Sequence, residues 1–107
     1  MLNKELLEQA AYVAGIEYKK GYEFGIMLLP ETDYNRGVWW NPFDNSEDAF
    51  NLILQFNIQL LWGEDAGGKF VQAGECKLYY TANTKAHAAR SVIVRHVAGM
   101  DKRNARE

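Results

Sequence analysis

The stretch from Trp39 to Phe50 constrains this 107-residue chain more than any other part of its sequence. Two adjacent tryptophans are followed by Asn-Pro-Phe and then by a group of carboxylates. A residue before proline is biased away from helical dihedral angles, so Asn41 predicts a turn. Asp44 as N-cap, with Glu47 three residues later, predicts a helix that starts near Asp44 or Asn45. We therefore expect a corner between a short extended segment and a helix.

The residues before this corner predict one helix and one strand. Apolar residues recur at helical spacing from residue 2 to residue 14, and Gly15 is a natural stop. Apolar and other residues alternate from Tyr22 to Leu29, which indicates a strand. The segment Pro30–Gly37 is rich in turn residues and is expected to be a loop.

The residues after the corner predict more strands and a last helix. Asn57 is expected to end the helix that follows the corner, at about Phe56. Three β-type runs follow, with a glycine-rich hairpin loop over Gly63–Lys69. Asn83 or Thr84 is expected to cap a helix that ends near Gly99. Its predicted apolar stripe consists of Ala86, Ala89, Ile93 and Val97, broadened by Val92 and Val94.

These elements predict a single α+β domain over residues 1–99, with a flexible tail at 100–107. The expected architecture is one antiparallel sheet of about four to five strands with helices on both faces, an α/β/α sandwich. A hydrophobic content of 48% with 24% charged residues is typical of a folded chain. One cysteine rules out an intramolecular disulfide, and no apolar run reaches the roughly 20 residues that span a bilayer. We expect a cytoplasmic protein that does not bind membranes.

Charge is distributed unevenly along the chain, although the net charge is only −2. Residues 1–84 contain six basic and twelve acidic residues, whereas residues 85–107 contain six basic and two acidic ones. The last helix is therefore basic, and Lys85, Arg90 and Arg95 are candidates for contacts with nucleic-acid phosphates. The alternative is a solvated helix face whose cations suit the C-terminal end of the helix dipole.

No pattern in the sequence predicts a catalytic residue, a metal or a cofactor. His87 and His96 lie nine residues apart in one helix and match no metal-binding spacing. Cys76 is the one cysteine, and an isolated apolar-face cysteine is usually a core residue. The carboxylates at 44, 47 and 48 suit a helix start, and the glycines at 63, 67 and 68 lack the spacing of a phosphate loop.

The tryptophan pair is the main candidate for a binding surface. Adjacent residues on a strand point to opposite faces, so one indole is expected in the core and the other at least partly exposed. Trp, Tyr and Arg side chains concentrate binding energy at protein interfaces. The predicted surface consists of Tyr34, Arg36, Trp39, Trp40 and Asn41. The alternative is that both indoles only pack against the helix that follows.

Three segments together resemble a known family. They are Glu5–Gly15 (ELLEQAAYVAG), Trp40–Leu52 (WNPFDNSEDAFNL) and Ala88–Arg95 (AARSVIVR). The pattern is similar to the phage ABA-sandwich proteins, which include the NinX-like accessory proteins of phages and prophages. The resemblance implies helices on both faces of an antiparallel sheet and supplies no activity.

The sequence therefore favours a non-enzymatic phage or prophage accessory protein that binds a host or phage protein in the bacterial cytoplasm. We expect it to be a monomer or homodimer. The alternative is a weak nucleic-acid-binding protein that uses its last helix.

Overall fold

A computed structural model of the chain describes residues 3–16, 19–22, 25–27 and 39–105. The helices in this part are α1 (Asn3–Ala14), α2 (Ser46–Phe56) and α3 (Lys85–Ala105). The strands are β1 (Lys19–Tyr22), β2 (Gly25–Met27), β3 (Trp39–Trp40), β4 (Leu60–Asp65), β5 (Gly68–Ala73) and β6 (Cys76–Tyr79). The predicted α+β class is confirmed. None of the described helices combines the length and the apolar character that crossing a membrane requires.

The described strands form two antiparallel sheets, ordered β1-β2-β3 and β4-β5-β6. A single sheet of four to five strands is not confirmed. The predicted strand over Tyr22–Leu29 is wrong, because Tyr22 ends β1 and pairs with Gly25 at the start of β2. Strands β1 and β2 therefore run antiparallel. Alternating residues of two successive strands look like one continuous strand in the sequence.

The second sheet consists of two hairpins with two-residue turns. Asp65 pairs with Gly68, and Ala73 pairs with Cys76. The predicted position of the glycine-rich hairpin is therefore confirmed. Its loop is shorter than predicted, because β4 and β5 extend into it. Gly74 makes the second turn at φ +58°, a left-handed conformation that glycine adopts without steric cost.

Helix α2 begins at Ser46, one residue later than it would if Asp44 were the N-cap. Asn45 is the N-cap, and its side chain accepts a hydrogen bond of 2.9 Å from the Asp48 backbone N–H. The prediction of Asp44 as cap is therefore wrong. Asn57 ends α2 as expected, in the left-handed conformation at φ 54°.

The last helix, α3, lies at the centre of the described structure and contacts α1, α2, β5 and β6. It continues to Ala105, so the predicted end at Gly99 is wrong. The predicted stripe is only partly right. Ile93 and Val97 are buried, but Ala86 is exposed and Ala89 is half-buried. Val92 and Val94, which are predicted to broaden the stripe, are buried as expected, because several elements pack around this helix.

The first helix packs against α3 through small and aliphatic residues. Ala10 and Ala11 are fully buried, and short side chains let two helices approach closely. Gly15 ends α1 at φ +74°, as predicted, and the Ile16 N–H donates to the Ala11 carbonyl at 2.9 Å. This pairing satisfies a carbonyl of the last helical turn.

Candidate functional site

The corner, defined here as residues 40–46, is organised by Asn41. The Asn41 carbonyl accepts hydrogen bonds from the Asp44 and Asn45 N–H groups at 3.0 and 2.9 Å. Its side-chain Oδ1 accepts from the Phe43 N–H at 3.1 Å, and its Nδ2 donates to Asp44 Oδ2 at 3.2 Å. The Asn41 N–H donates to Asp48 Oδ2 at 2.9 Å. The polar groups of Asn41 therefore hold the turn and the start of α2 together.

Trp40, one residue of the predicted binding surface, is buried. The Trp40 side chain is only 4% exposed and belongs to the core. The expectation that one of the two indoles is buried is therefore confirmed for Trp40. Trp39 lies in β3 opposite Met27. The Trp39 side chain, together with Tyr34 and Arg36, lies outside the described residues.

The Asp48 carboxylate, near the start of α2, has a structural partner in the Asn41 N–H. Partial burial raises the pKa of Asp48, the hydrogen bond from the Asn41 N–H lowers it, and the neighbouring charge of Glu47 raises it. The helix-start interpretation therefore accounts for Asp48. Within the described ranges, no three His, Cys, Asp or Glu side chains are grouped so that they would hold a metal ion.

The structure gives the three candidate nucleic-acid contacts on α3 different surroundings. Arg90 is half-buried, and its Nε donates to the Phe43 carbonyl at 2.7 Å. Arg90 Nη1 donates to Ser46 Oγ at 3.1 Å. The Nζ of Lys85 lies 4.9 Å from the centre of the Trp62 ring. Arg95 is exposed. Arg90 therefore joins α3 to the corner.

The cysteine and histidines have ordinary surroundings. Cys76 is half-buried, and burial raises the pKa of its thiol although Arg95 lowers it. A raised pKa keeps the thiol protonated at neutral pH, which is the less nucleophilic form. The His96 ring lies against the Gly74 turn, where a Cβ would be 2.5 Å from Nδ1. His87 is exposed on α3.

The second sheet presents an exposed face that the sequence reasoning missed. Strand register places alternate residues of β4, β5 and β6 on the side opposite to the buried Val71 and Ala73, and we call this side the outer face. The outer face consists of Leu61, Gly63, Asp65, Phe70, Gln72, Lys77 and Tyr79. Leu61 is 53% exposed and Tyr79 is 48% exposed. Helix α3 covers the other side of β5 and β6.

Polar contacts fix the side chains of the outer face. Asp65 Oδ2 pairs with Lys77 Nζ at 3.1 Å and accepts a hydrogen bond from the Tyr79 hydroxyl at 3.1 Å. Asp65 Oδ1 accepts from the Gly67 N–H at 2.8 Å. These partners, led by the Gly67 N–H, lower the pKa of Asp65, and the bond to Asp65 raises the pKa of Lys77. Lys77 Nζ also lies 4.6 Å from the Phe70 ring centre.

Two glycines allow the aromatic rings of the outer face to lie against the backbone. A Cβ on Gly63 would be 2.6 Å from Phe70 Cζ, and one on Gly67 would be 2.8 Å from Tyr79 Cζ. The Phe70 and Tyr79 rings meet edge to face with centroids 6.1 Å apart. Rings that cover cross-strand glycines stabilise a sheet that would otherwise lack side-chain contacts there. The outer face is therefore an ordered aromatic surface.

Helix α2 carries a second pair of exposed apolar side chains. Phe50 is 54% exposed and Leu54 is 61% exposed, one helical turn apart. The buried side chains of α2 are those of Ala49 and Leu52. Exposed apolar residues are normal on protein surfaces, so Leu54 is a suitable control position for the outer face.

Comparisons with known proteins assign no family to this chain: none of the known protein families, the curated proteins or the solved structures matches it.

Proposed function

We propose that this protein acts by binding another protein, and that the outer face of the second sheet is its binding surface. The observation that carries the proposal is the exposure of Leu61 and Tyr79 on a face whose other side chains are held in place. Tyrosine is enriched at interface hot spots. A preordered ring loses little conformational freedom on binding, so more of the contact energy contributes to affinity.

The size of the outer face favours a weak or transient complex. Six residues at about 3.3 Å each, across three strands spaced about 4.8 Å apart, give a projected area of roughly 300 Å². A standard interface buries about 800 Å² on each partner. A partner that binds more tightly must therefore also contact neighbouring surface.

The biological setting is a further part of the proposal. We propose a non-enzymatic accessory protein of a phage or prophage, related to the ABA-sandwich proteins, that binds a host or phage protein in the bacterial cytoplasm. The layering of helices on both faces of a sheet belongs to the same proposal. Its support is that the three resembling segments coincide with α1, with the corner and α2, and with α3. A gene position among phage replication, recombination or lysis genes tests the setting, and a position among unrelated metabolic genes contradicts it.

Nucleic-acid binding through α3 is the competing proposal and has less support. Arg90 donates to Phe43 and Ser46, so a phosphate would have to compete with these contacts. An electrophoretic shift of DNA or RNA that weakens steeply with salt would favour this alternative.

Affinity capture from bacterial lysate tests the protein-binding proposal. The variants Leu61→Ser and Tyr79→Ser should each reduce recovery of a specific partner, while circular dichroism shows that they remain folded. Leu54→Ser is the matched control, because Leu54 is a similarly exposed leucine on α2. Equal recovery with all three variants would rule out the outer face as the binding surface.

A further inference from the structure

A cleft lies beside the N-terminal half of α3, between the corner and β6. Its volume is about 430 Å³. Thr84, His87, Ser91 and Arg95 line it from successive turns at the start and along one side of α3, and Phe43 and Leu78 contribute apolar walls. The twelve residues from Thr84 to Arg95 span about 16 Å of helix. The cleft is thus an elongated groove with one polar side and apolar walls.

The groups around the cleft select for negative charge. Its described lining contains the Arg95 guanidinium, the His87 imidazole and the hydroxyl groups of Thr84, Ser91 and Tyr79, but no carboxylate. This is notable because residues 1–84 contain twelve acidic side chains and only six basic ones. An arginine side chain is charged at every physiological pH and pairs well with carboxylates and phosphates.

Arg95 differs from the other described cations of α3. Arg90 donates to Phe43 and Ser46, and Lys85 lies over the Trp62 ring. Arg95 is exposed, and among the described residues it forms no hydrogen bond or ion pair. Its guanidinium donors therefore remain available to a ligand in the cleft.

We propose that this cleft binds a small organic anion with an apolar body. A carboxylate or phosphate group would pair with Arg95, and the apolar part would lie between Phe43 and Leu78. The volume falls within the range of about 300–1,000 Å³ that is usual for small-molecule sites. Tyr79 belongs to both the cleft lining and the outer face. The anion would be recognised by Arg95, which is not part of the outer face, so this proposal does not depend on the protein-binding proposal.

Nuclear magnetic resonance of the full ¹⁵N-labelled chain tests the site with defined probes. Phenylacetate supplies a carboxylate, phenyl phosphate supplies a phosphate, and phenylacetamide is a neutral analogue of the first. At least one anion should give saturable amide shifts at Leu78, Ser91 and Arg95. Phenylacetamide should bind about tenfold more weakly, because it lacks the charge that Arg95 recognises. The relative affinities of the two anions show whether the site prefers carboxylate or phosphate.

Two variants test the role of Arg95. Arg95→Gln should weaken binding of the anion about tenfold and leave the phenylacetamide affinity unchanged. Lys69→Gln removes the same charge from an exposed position in β5 and should leave both affinities unchanged. The proposal is overturned if neither anion gives saturable shifts up to roughly 10 mM, a range that would detect even millimolar affinity. Equal affinity for phenylacetate in Arg95→Gln and the parent protein would overturn it as well.

Discussion

Replacing Arg90 with alanine removes the two hydrogen bonds by which this side chain joins α3 to the corner. The first runs from Arg90 Nε to the Phe43 carbonyl at 2.7 Å, and the second runs from Nη1 to Ser46 Oγ at 3.1 Å. The Phe43 side chain is buried, so little water is available near this contact. The substitution therefore tests whether Arg90 is a structural residue or a free surface cation.

The expected loss follows from the two contacts. A hydrogen bond from a charged donor contributes about 1.5–3 kcal/mol, and the more exposed bond to Ser46 adds about 0.5 kcal/mol. Alanine is a slightly better helix former than arginine, which offsets a few tenths of a kcal/mol. We expect Arg90→Ala to lower the free energy of unfolding by about 2 kcal/mol. That loss reduces the ratio of folded to unfolded protein by a factor of about 30.

Urea denaturation measures this loss as a lower midpoint at an unchanged slope. Arg90→Lys keeps the charge but loses the planar arrangement of donors, so an intermediate stability is expected. Arg95→Ala is the matched control, since it removes an exposed arginine from the same helix and should change the stability by less than about 0.5 kcal/mol. If Arg90→Ala and Arg95→Ala have the same stability, the structural role assigned to Arg90 is wrong.

Three further predictions concern the corner and the outer face. Asn41→Ala should lower the free energy of unfolding by about 1–2 kcal/mol in urea denaturation, since the Phe43 N–H loses its acceptor; no loss would refute this role. Gly63→Ala should lower the free energy of unfolding by about 1–2 kcal/mol, because the added Cβ displaces the Phe70 ring. A double-mutant cycle should show that Phe70→Ala removes most of that cost, and additive losses would contradict the clash. The pKa of Asp65 is lower in the folded protein than the value of about 3.8 expected for the unfolded chain. The ionised Asp65 carboxylate therefore stabilises the fold above that pH, and this contribution is lost as the pH falls through the folded pKa. Asp65→Asn should therefore weaken the pH dependence of the urea midpoint below about pH 5, and an unchanged dependence would exclude this coupling.

The corner could be predicted in kind from the sequence, but its exact helix start could not. Asp44 and Asn45 both have side chains that can cap a helix, so local preference does not choose between them. The turn at Asn41 and Pro42 makes the choice, because the Asn41 carbonyl accepts hydrogen bonds from the N–H groups of both Asp44 and Asn45. The helix therefore begins at Ser46.

Contacts between distant residues account for what the sequence did not predict. Arg90 lies 47 positions from Phe43, and no local pattern connects them. Phe70 and Tyr79 become neighbours only through the register set by the Gly74 turn. Residue spacing does show that Lys77 and Tyr79 share a face, but it does not show that Asp65 lies beside both of them.

The most direct test of the protein-binding proposal is quantitative capture from lysate with four variants of the chain. The outer-face variants are Leu61→Ser and Tyr79→Ser. The control is Leu54→Ser, and Trp39→Ser tests the surface predicted from the tryptophan pair. We expect a specific partner to be recovered with the parent chain and the control at equal yield, and to be reduced severalfold with both outer-face variants. Loss of the partner with Trp39→Ser alone, or full recovery with both outer-face variants, would contradict the assignment of binding to the outer face.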